Sequence, residues 1–189
     1  MPADSKTDIL LDAAAAVYAR DRSASMQQIA TAAGISRTTL SRRFPMREDL
    51  IAALIDRVLL DAADVLDRAK VEDGDIEKAF ARLSEDFKAL GQVWGVGYGL
   101  GFAWSDIVNL FPELAARVYD HHHRLRRFFE RGQQSGFFRM DVSAEWLAGA
   151  FQGLCETTSD LIADEAMGKR QGAAFLTSIF LKGAERRPT

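Results

Sequence analysis

The chain has 189 residues, with 24 Lys plus Arg against 27 Asp plus Glu, for a net charge of −3. That length suits one domain or two small ones, the 48% apolar content excludes a disordered chain, and the mildly acidic balance argues against a surface coated in basic charge for nucleic acid. A single cysteine, Cys155, excludes an internal disulfide and any CxxC metal or redox motif, so a reducing, cytoplasmic setting is expected.

The first residues carry no apolar signal-peptide core, and no apolar run approaches the roughly 20 residues of a membrane-spanning helix. Helical periodicity then dominates in chain order. Ser5-x-x-Asp8 resembles a capping box, followed by Ile9, Ala13, Ala16 and Val17 at helical spacing. Ser25-x-x-Gln28 fits the capping box directly and opens a short helix to about Ala32, which Gly34 breaks. Ser36 caps another short helix to about Arg43, and Pro45 stops it. From Arg47 a long helix places Leu50, Leu54, Val58, Ala62, Val65 and Ala69 at steps of three and four. The run Glu72-Asp73-Gly74-Asp75 marks a break. Further helices are expected over Ile76–Leu90, Pro112–Gln134, Ser143–Asp164 and Lys169–Glu185, with Pro112 in a first turn and Gly136 at a helix exit. The fold class is all-α.

One segment departs from this pattern. In Val93–Trp104, Gly95, Gly97, Gly99 and Gly101 alternate with Trp94, Val96, Tyr98, Leu100, Phe102 and Trp104. That period of two reads as a strand. A lone strand has no partner, so a loop leading into a loosely held helix is expected. Four glycines in a helix would cost about 1 kcal/mol each relative to Ala.

Two short helices joined at Gly34 have the spacing of a helix-turn-helix, whose second helix enters a DNA major groove. The stretch Ser36–Arg47 holds Arg37, Arg42, Arg43 and Arg47 and no acid, so it carries +4 against −7 for the rest of the chain. The hydroxyls of Ser36, Thr38, Thr39 and Ser41 alternate with these arginines. Both groups suit phosphate oxygens and base edges. The plain alternative is a three-helix piece of ordinary core. Ile29, Ala33, Ile35, Leu40 and Phe44 are core in either case.

Three stretches carry a resemblance to the TetR (tetracycline-repressor-like) family. They are Ile9-Leu10-x-x-Ala13-Ala14, Ser25-Met26-x-x-Ile29-Ala30-x-x-Ala33-Gly34-Ile35-Ser36-x-x-Thr39-Leu40, and Phe44-x-x-Arg47-Glu48-x-Leu50. Phe111-Pro112-Glu113-Leu114 and Ser135-Gly136-Phe137-Phe138-Arg139 resemble its ligand domain more weakly. The resemblance implies an all-helical homodimer that represses transcription and leaves operator DNA when a small ligand binds. It divides the chain into a DNA-binding domain, 1–50, and a ligand-binding and dimerisation domain, 51–189. By position it gives Thr39 and Arg47 phosphate contacts, Arg47 standing where the family usually has Lys. Arg43 stands where His or Tyr is common, Ser41 replaces a usual Tyr, and Asp21-Arg22 falls where a turn Gly is usual. Gln27, Arg37, Thr38 and Arg42 are the base readers by position, Arg37 suiting guanine.

The C-terminal two-thirds is aromatic. Phe87, Trp94, Tyr98, Phe102, Trp104, Phe128 and Phe151 are pocket candidates, with core packing as the plain alternative for each. Along Ser143–Asp164, Leu147, Phe151, Leu154, Thr158 and Leu161 form one seam, and Gly149, Gly153 and Thr157 a stripe of small residues. Together with Phe175, Leu176 and Ile179 these can build a four-helix bundle across a two-fold axis, with Leu147, Gly149, Gly153, Leu154, Phe175 and Ile179 as its dimerisation residues.

His121, His122 and His123 point roughly 100° apart along a helix and cannot share one metal. With Arg124, Arg126, Arg127 and Arg131 they read as a solvated face with His at its rim. The other reading is that one of them, or Arg124, meets an acidic ligand. Cys155 reads as a small buried hydrophobe or, alternatively, a redox sensor. No Walker loop, GxGxxG on a strand or HExxH occurs, so no enzyme, cofactor or metal is expected. The expected function is a ligand-responsive repressor binding operator DNA as a homodimer. Its alternatives are the same regulator under a protein partner or redox change, and a helical small-molecule binder or enzyme without DNA binding.

Overall fold

The computed structural model describes residues 5–92 and 104–184. The alternating glycine segment, with Trp94, Tyr98 and Phe102, lies outside them, apart from Trp104. The described residues form helices α1 (Ser5–Arg20), α2 (Met26–Ala32), α3 (Arg37–Arg43), α4 (Arg47–Ala69), α5 (Ile76–Glu85), α6 (Trp104–Leu110), α7 (Ala115–Gln134), α8 (Ala144–Ala163) and α9 (Lys169–Ala184), with no β-strand among them. The chain divides into two compact units, Met1–Val58 with Val96–Ala115, and Leu59–Gly95 with Ala116–Thr189. Helix α4 contributes residues to both.

In the first unit, local chemistry sets the helix ends. The Gln28 amide donates to Ser25 Oγ (3.3 Å) and the Ser25 amide to Gln28 Oε1 (2.7 Å), closing the expected capping box of α2. Gly34 takes φ +67°, a left-handed conformation that Gly adopts without a Cβ penalty. The Thr39 amide donates to Ser36 Oγ (3.0 Å) and caps α3. Ile29, Leu40, Phe44, Leu50 and Leu54 are buried, whereas Ala33 and Ile35 flank Gly34 in the turn and are only half-buried. Ser5 is already helical, so the residue expected to cap α1 lies inside it.

In the second unit, the helix expected over Ile76–Leu90 is interrupted. It ends at Glu85, Asp86 leaves helical geometry (φ −93°, ψ 20°), and residues 87–92 resume. The Asp86 carboxylate accepts from Arg68 of α4 at 3.0 Å, a partner 18 residues away that no local pattern reveals. Pro112 opens a single 3-10 turn, Pro112–Leu114, before α7. Gly136, at φ +79°, follows the end of α7 as expected.

The centre of this unit is a cluster of phenylalanines. Phe80 lies 5.9 Å from Phe138, 5.4 Å from Phe151 and 5.4 Å from Phe180, ring centre to ring centre. Phe129 lies 5.0 Å from Phe138 and 5.2 Å from Phe128. Such edge-to-face and offset pairs stabilise by about 0.5–1.5 kcal/mol each beyond the area they bury. Gly132 on α7 makes room for this cluster, because a Cβ there would run into the Phe138 ring.

Gly132→Ala therefore displaces Phe138 from its neighbours. Urea unfolding is expected to show a loss of about 1–3 kcal/mol, the usual penalty of overpacking a core. A variant as stable as the parent would contradict this packing account.

Candidate nucleic-acid interface

Helix α3 has one inward side chain, Leu40, which is fully buried. Fixing Leu40 inward on a two-turn helix turns the opposite side outward. Arg37, Thr38, Thr39, Arg42 and Arg43 are all exposed, as are Ser36 before them and Gln27 on α2, while Ser41 is half-buried. The structure thus leaves the predicted contacts on α3, apart from the half-buried Ser41, and Gln27 on α2 open to solvent. Among these residues, Arg37 Nη1 donates to Ser41 Oγ (2.5 Å), and the Ser36 and Thr39 hydroxyls lie 2.8 Å apart. Gln27 Nε2 is 3.5 Å from Thr31 Oγ1, one turn along α2. The face offers guanidinium and hydroxyl groups with no carboxylate on α3, a surface suited to an anionic backbone.

Arg47 sits differently. Its guanidinium lies 5.1 Å above the Tyr18 ring centre, and Nη2 donates to the Arg22 carbonyl at 2.6 Å.

Of the other predicted residues, Trp94, Tyr98 and Phe102 lie outside the described residues, Trp104 opens α6 in the first unit, and the rest fall in the second. Phe128 and Phe151 belong to the phenylalanine cluster and are fully buried, and Phe87 is buried in residues 87–92. An open cleft of about 570 Å³ in this unit is lined by charged groups, including Glu72, Asp120, Arg124 and Arg127, rather than by those rings. On α8 and α9, Gly149 and Gly153 are exposed with open space beyond them, and Phe175 (47%) and Ile179 (60%) are exposed too. Leu154 is half-buried, and Leu147 faces the interior of its own unit. Trp146, 63% exposed, joins this apolar face although it was not among the predicted residues. Its signal was its place one turn before Gly149 and two turns before Gly153.

The histidines correct the expected solvated rim. His121 is only 2% exposed, while His122 is half-buried and His123 exposed. His121 belongs to the buried stripe Val118, His121, Leu125, Phe128, and that spacing of three and four was readable in the sequence. Its Nε2 lies 2.7 Å from Nε2 of the buried Gln152, and its Nδ1 has no partner among the described residues. Burial, helped by His122 and Arg124, pushes its pKa down to about 3, so the ring is neutral. The flanking arginines are not a free basic stripe. Arg124 pairs with Asp67 and Glu72 (2.5 and 2.6 Å), and Arg131 donates to the Val71 and Gly74 carbonyls, fastening the α4–α5 connection. Cys155 is fully buried and its thiol pKa is raised by burial, which disfavours the thiolate that redox sensing uses. No cluster of metal-ligating residues occurs among the described residues.

Residues 10–54 match the profile of bacterial regulatory proteins, tetR family. The chain is 36% identical over 107 residues to the HTH-type transcriptional repressor LfrR of Mycolicibacterium smegmatis, an alignment spanning 57% of this chain and only about half, 54%, of LfrR. It is 28% identical over 172 residues to the HTH-type transcriptional regulator NfxB of Pseudomonas aeruginosa, spanning 90% of this chain and 89% of NfxB. Among solved structures, LfrR of Mycobacterium smegmatis in complex with proflavine superposes with a TM-score of 0.73 at 24% identity, covering 96% of this chain and 97% of that one. FadR of Bacillus halodurans superposes with a TM-score of 0.70 at 18% identity, covering 99% and 100%. At those identities the superpositions carry the fold.

The buried His121 makes stability depend on pH. The folded ring stays neutral to about pH 3, whereas the unfolded ring takes a proton near its ordinary value of 6.5. Below that value the unfolded state binds the extra proton, so stability falls by about 1.4 kcal/mol per pH unit, and above it the contribution is constant. Between pH 6.5 and 5 the parent is expected to lose about 2 kcal/mol more than His121→Gln in urea unfolding. Parallel pH profiles would contradict a buried neutral His121.

Proposed function

We propose that the chain, whose residues 10–54 match the tetR-family profile, is a transcriptional repressor of that family that binds operator DNA as a homodimer and is released by a small-molecule effector. The observation that carries this reading is the outward face of α3, where Arg37, Thr38, Thr39, Arg42 and Arg43 are exposed behind a single buried Leu40. A seven-residue capped helix with that face fits a major groove about 12 Å wide.

Dimerisation through α8 and α9 is supported by the exposed Trp146, Gly149, Gly153, Phe175 and Ile179, since an apolar face of this kind is unfavourable in water and small residues let helices approach. A two-fold dimer sets two reading helices about 34 Å apart, one turn of DNA. The effector reading is supported by the buried His121–Gln152 pair, whose open Nδ1 offers a ligand one neutral hydrogen bond. LfrR, seen in complex with proflavine, is a relative that binds a small molecule. Effector binding acts by population shift, favouring a dimer whose reading helices are wrongly spaced for the operator. Control by redox change at Cys155 is the weaker alternative, because that thiol is buried.

The Arg37→Ala/Arg43→Ala double variant is expected to bind duplex DNA at least 10-fold more weakly, with a salt slope shallower by roughly 1–2. Unchanged affinity and slope would sink the DNA assignment. Phe175→Asp with Ile179→Asp should convert a dimer to a monomer in analytical ultracentrifugation, and a persisting dimer would place the interface elsewhere.

A further inference from the structure

We propose that Arg47 is a positioning residue that locks the two ends of the helix-turn-helix together, and not one of the groups that hold DNA phosphate. This rests on the DNA-binding reading above and deepens it.

The residues that lead into α2 form a built turn. The Ser23 amide and hydroxyl both donate to Asp21 Oδ1 (2.9 and 2.6 Å), and the Ala24 amide donates to the Asp21 carbonyl (3.1 Å). That turn delivers the chain to Ser25, the cap of α2. At the other end, α3 closes at Phe44 and α4 begins at Arg47. Arg47 therefore stands where the chain leaves the motif, and its Nη2 reaches the Arg22 carbonyl where the chain comes into it. The same guanidinium lies over the ring of Tyr18, the buried residue near the end of α1. One planar cation thus makes a hydrogen bond at one edge and a cation–π contact on its face, a combination open to Arg and not to a point-charge ammonium.

A second arginine repeats the arrangement farther along α4. Arg57 Nη1 lies 2.9 Å from Asp12 Oδ1 and donates to the Asp8 carbonyl at 3.2 Å. Moving from Arg47 to Arg57, the partners on α1 run backwards from Tyr18 to Asp12 and Asp8, so α1 and α4 lie antiparallel and are tied at two places about 15 Å apart. The Tyr18 hydroxyl has no hydrogen-bond partner among the described residues, and its burial, opposed by Arg47, raises its pKa. Arg47 also lies close enough to the hydroxyl to oppose that rise, and the contact with a defined geometry is the one to the ring. Arg37, Arg42 and Arg43 stay on the exposed face, and the half-buried guanidinium of Arg47 is engaged by Tyr18 and the Arg22 carbonyl.

The test uses the full-length protein, a 30-base-pair duplex selected by it from a random pool, and the unselected pool. Circular dichroism and thermal melting establish that each variant is folded at the assay temperature. Arg47→Met is expected to weaken the selected duplex about 10-fold, with the salt slope unchanged and the unselected pool bound as before. Tyr18→Leu should do the same, the double variant should be no worse than either single one, and Tyr18→Phe should match the parent. If Arg47→Met does not fold, Arg47→Lys decides, since Lys keeps the charge for a phosphate but cannot both cover Tyr18 and reach Arg22. Loss of selectivity in Arg47→Lys supports the lock, and full retention overturns it. A slope shallower by about 1, with both duplexes weakened equally, also overturns it, because that is the signature of a lost phosphate contact. Failure of the parent itself to bind any duplex in a salt-dependent way overturns the DNA-binding reading, and the lock with it.

Discussion

The surface of the N-terminal unit depends on one buried side chain, Leu40, and on the turn that delivers it. Gly34 at φ +67° reverses the chain between α2 and α3 within a few residues, and Ser36 caps the second helix as soon as the turn is complete. On a helix this short, burying Leu40 leaves only one orientation for its neighbours. The arginines and hydroxyls face water because the leucine cannot. A net charge of −3 then describes a basic face on an acidic remainder, the +3 of Arg37, Arg42 and Arg43 against −6 for the rest of the chain. The net negative charge of the remainder disfavours DNA contact away from that face.

The parts of this arrangement written in local chemistry were legible in the sequence. The capping box at Ser25 and Gln28, the cap at Ser36, the turn at Gly34, and the start of α4 at Arg47 each involve groups within a few residues of one another. The buried stripe of α4 was legible for the same reason, since Leu50, Leu54, Val58, Ala62, Val65 and Ala69 follow one period. What was not legible depends on partners far along the chain. The Asp86 carboxylate meets Arg68 from 18 residues away at the point where the helix is interrupted, and the half-buried Arg47 meets the Tyr18 ring and the Arg22 carbonyl. His121 was misread because its polarity suggested a rim, although its spacing placed it in the core beside Gln152.

The second unit poses a different physical problem, a largely apolar interior that also buries the His121–Gln152 pair, Ser84 and Thr158. Leaving one nitrogen of His121 without a partner costs about 1–3 kcal/mol that an apolar residue would not. A site that carries such a cost gains it back when a ligand supplies the missing hydrogen bond, which ties effector affinity to stability. The apolar face of α8 and α9 carries a similar cost in the isolated chain, which the proposed dimer would remove by covering it with a second copy. In this account both features are incomplete until a partner is present.

Amide hydrogen exchange in the presence of a selected duplex tests the central claim most directly. The account predicts slowed exchange and reduced solvent access confined to residues 25–43, present at low salt and lost at high salt, with residues 144–184 unaffected by DNA. Protection that appears elsewhere while residues 25–43 remain unchanged would contradict it.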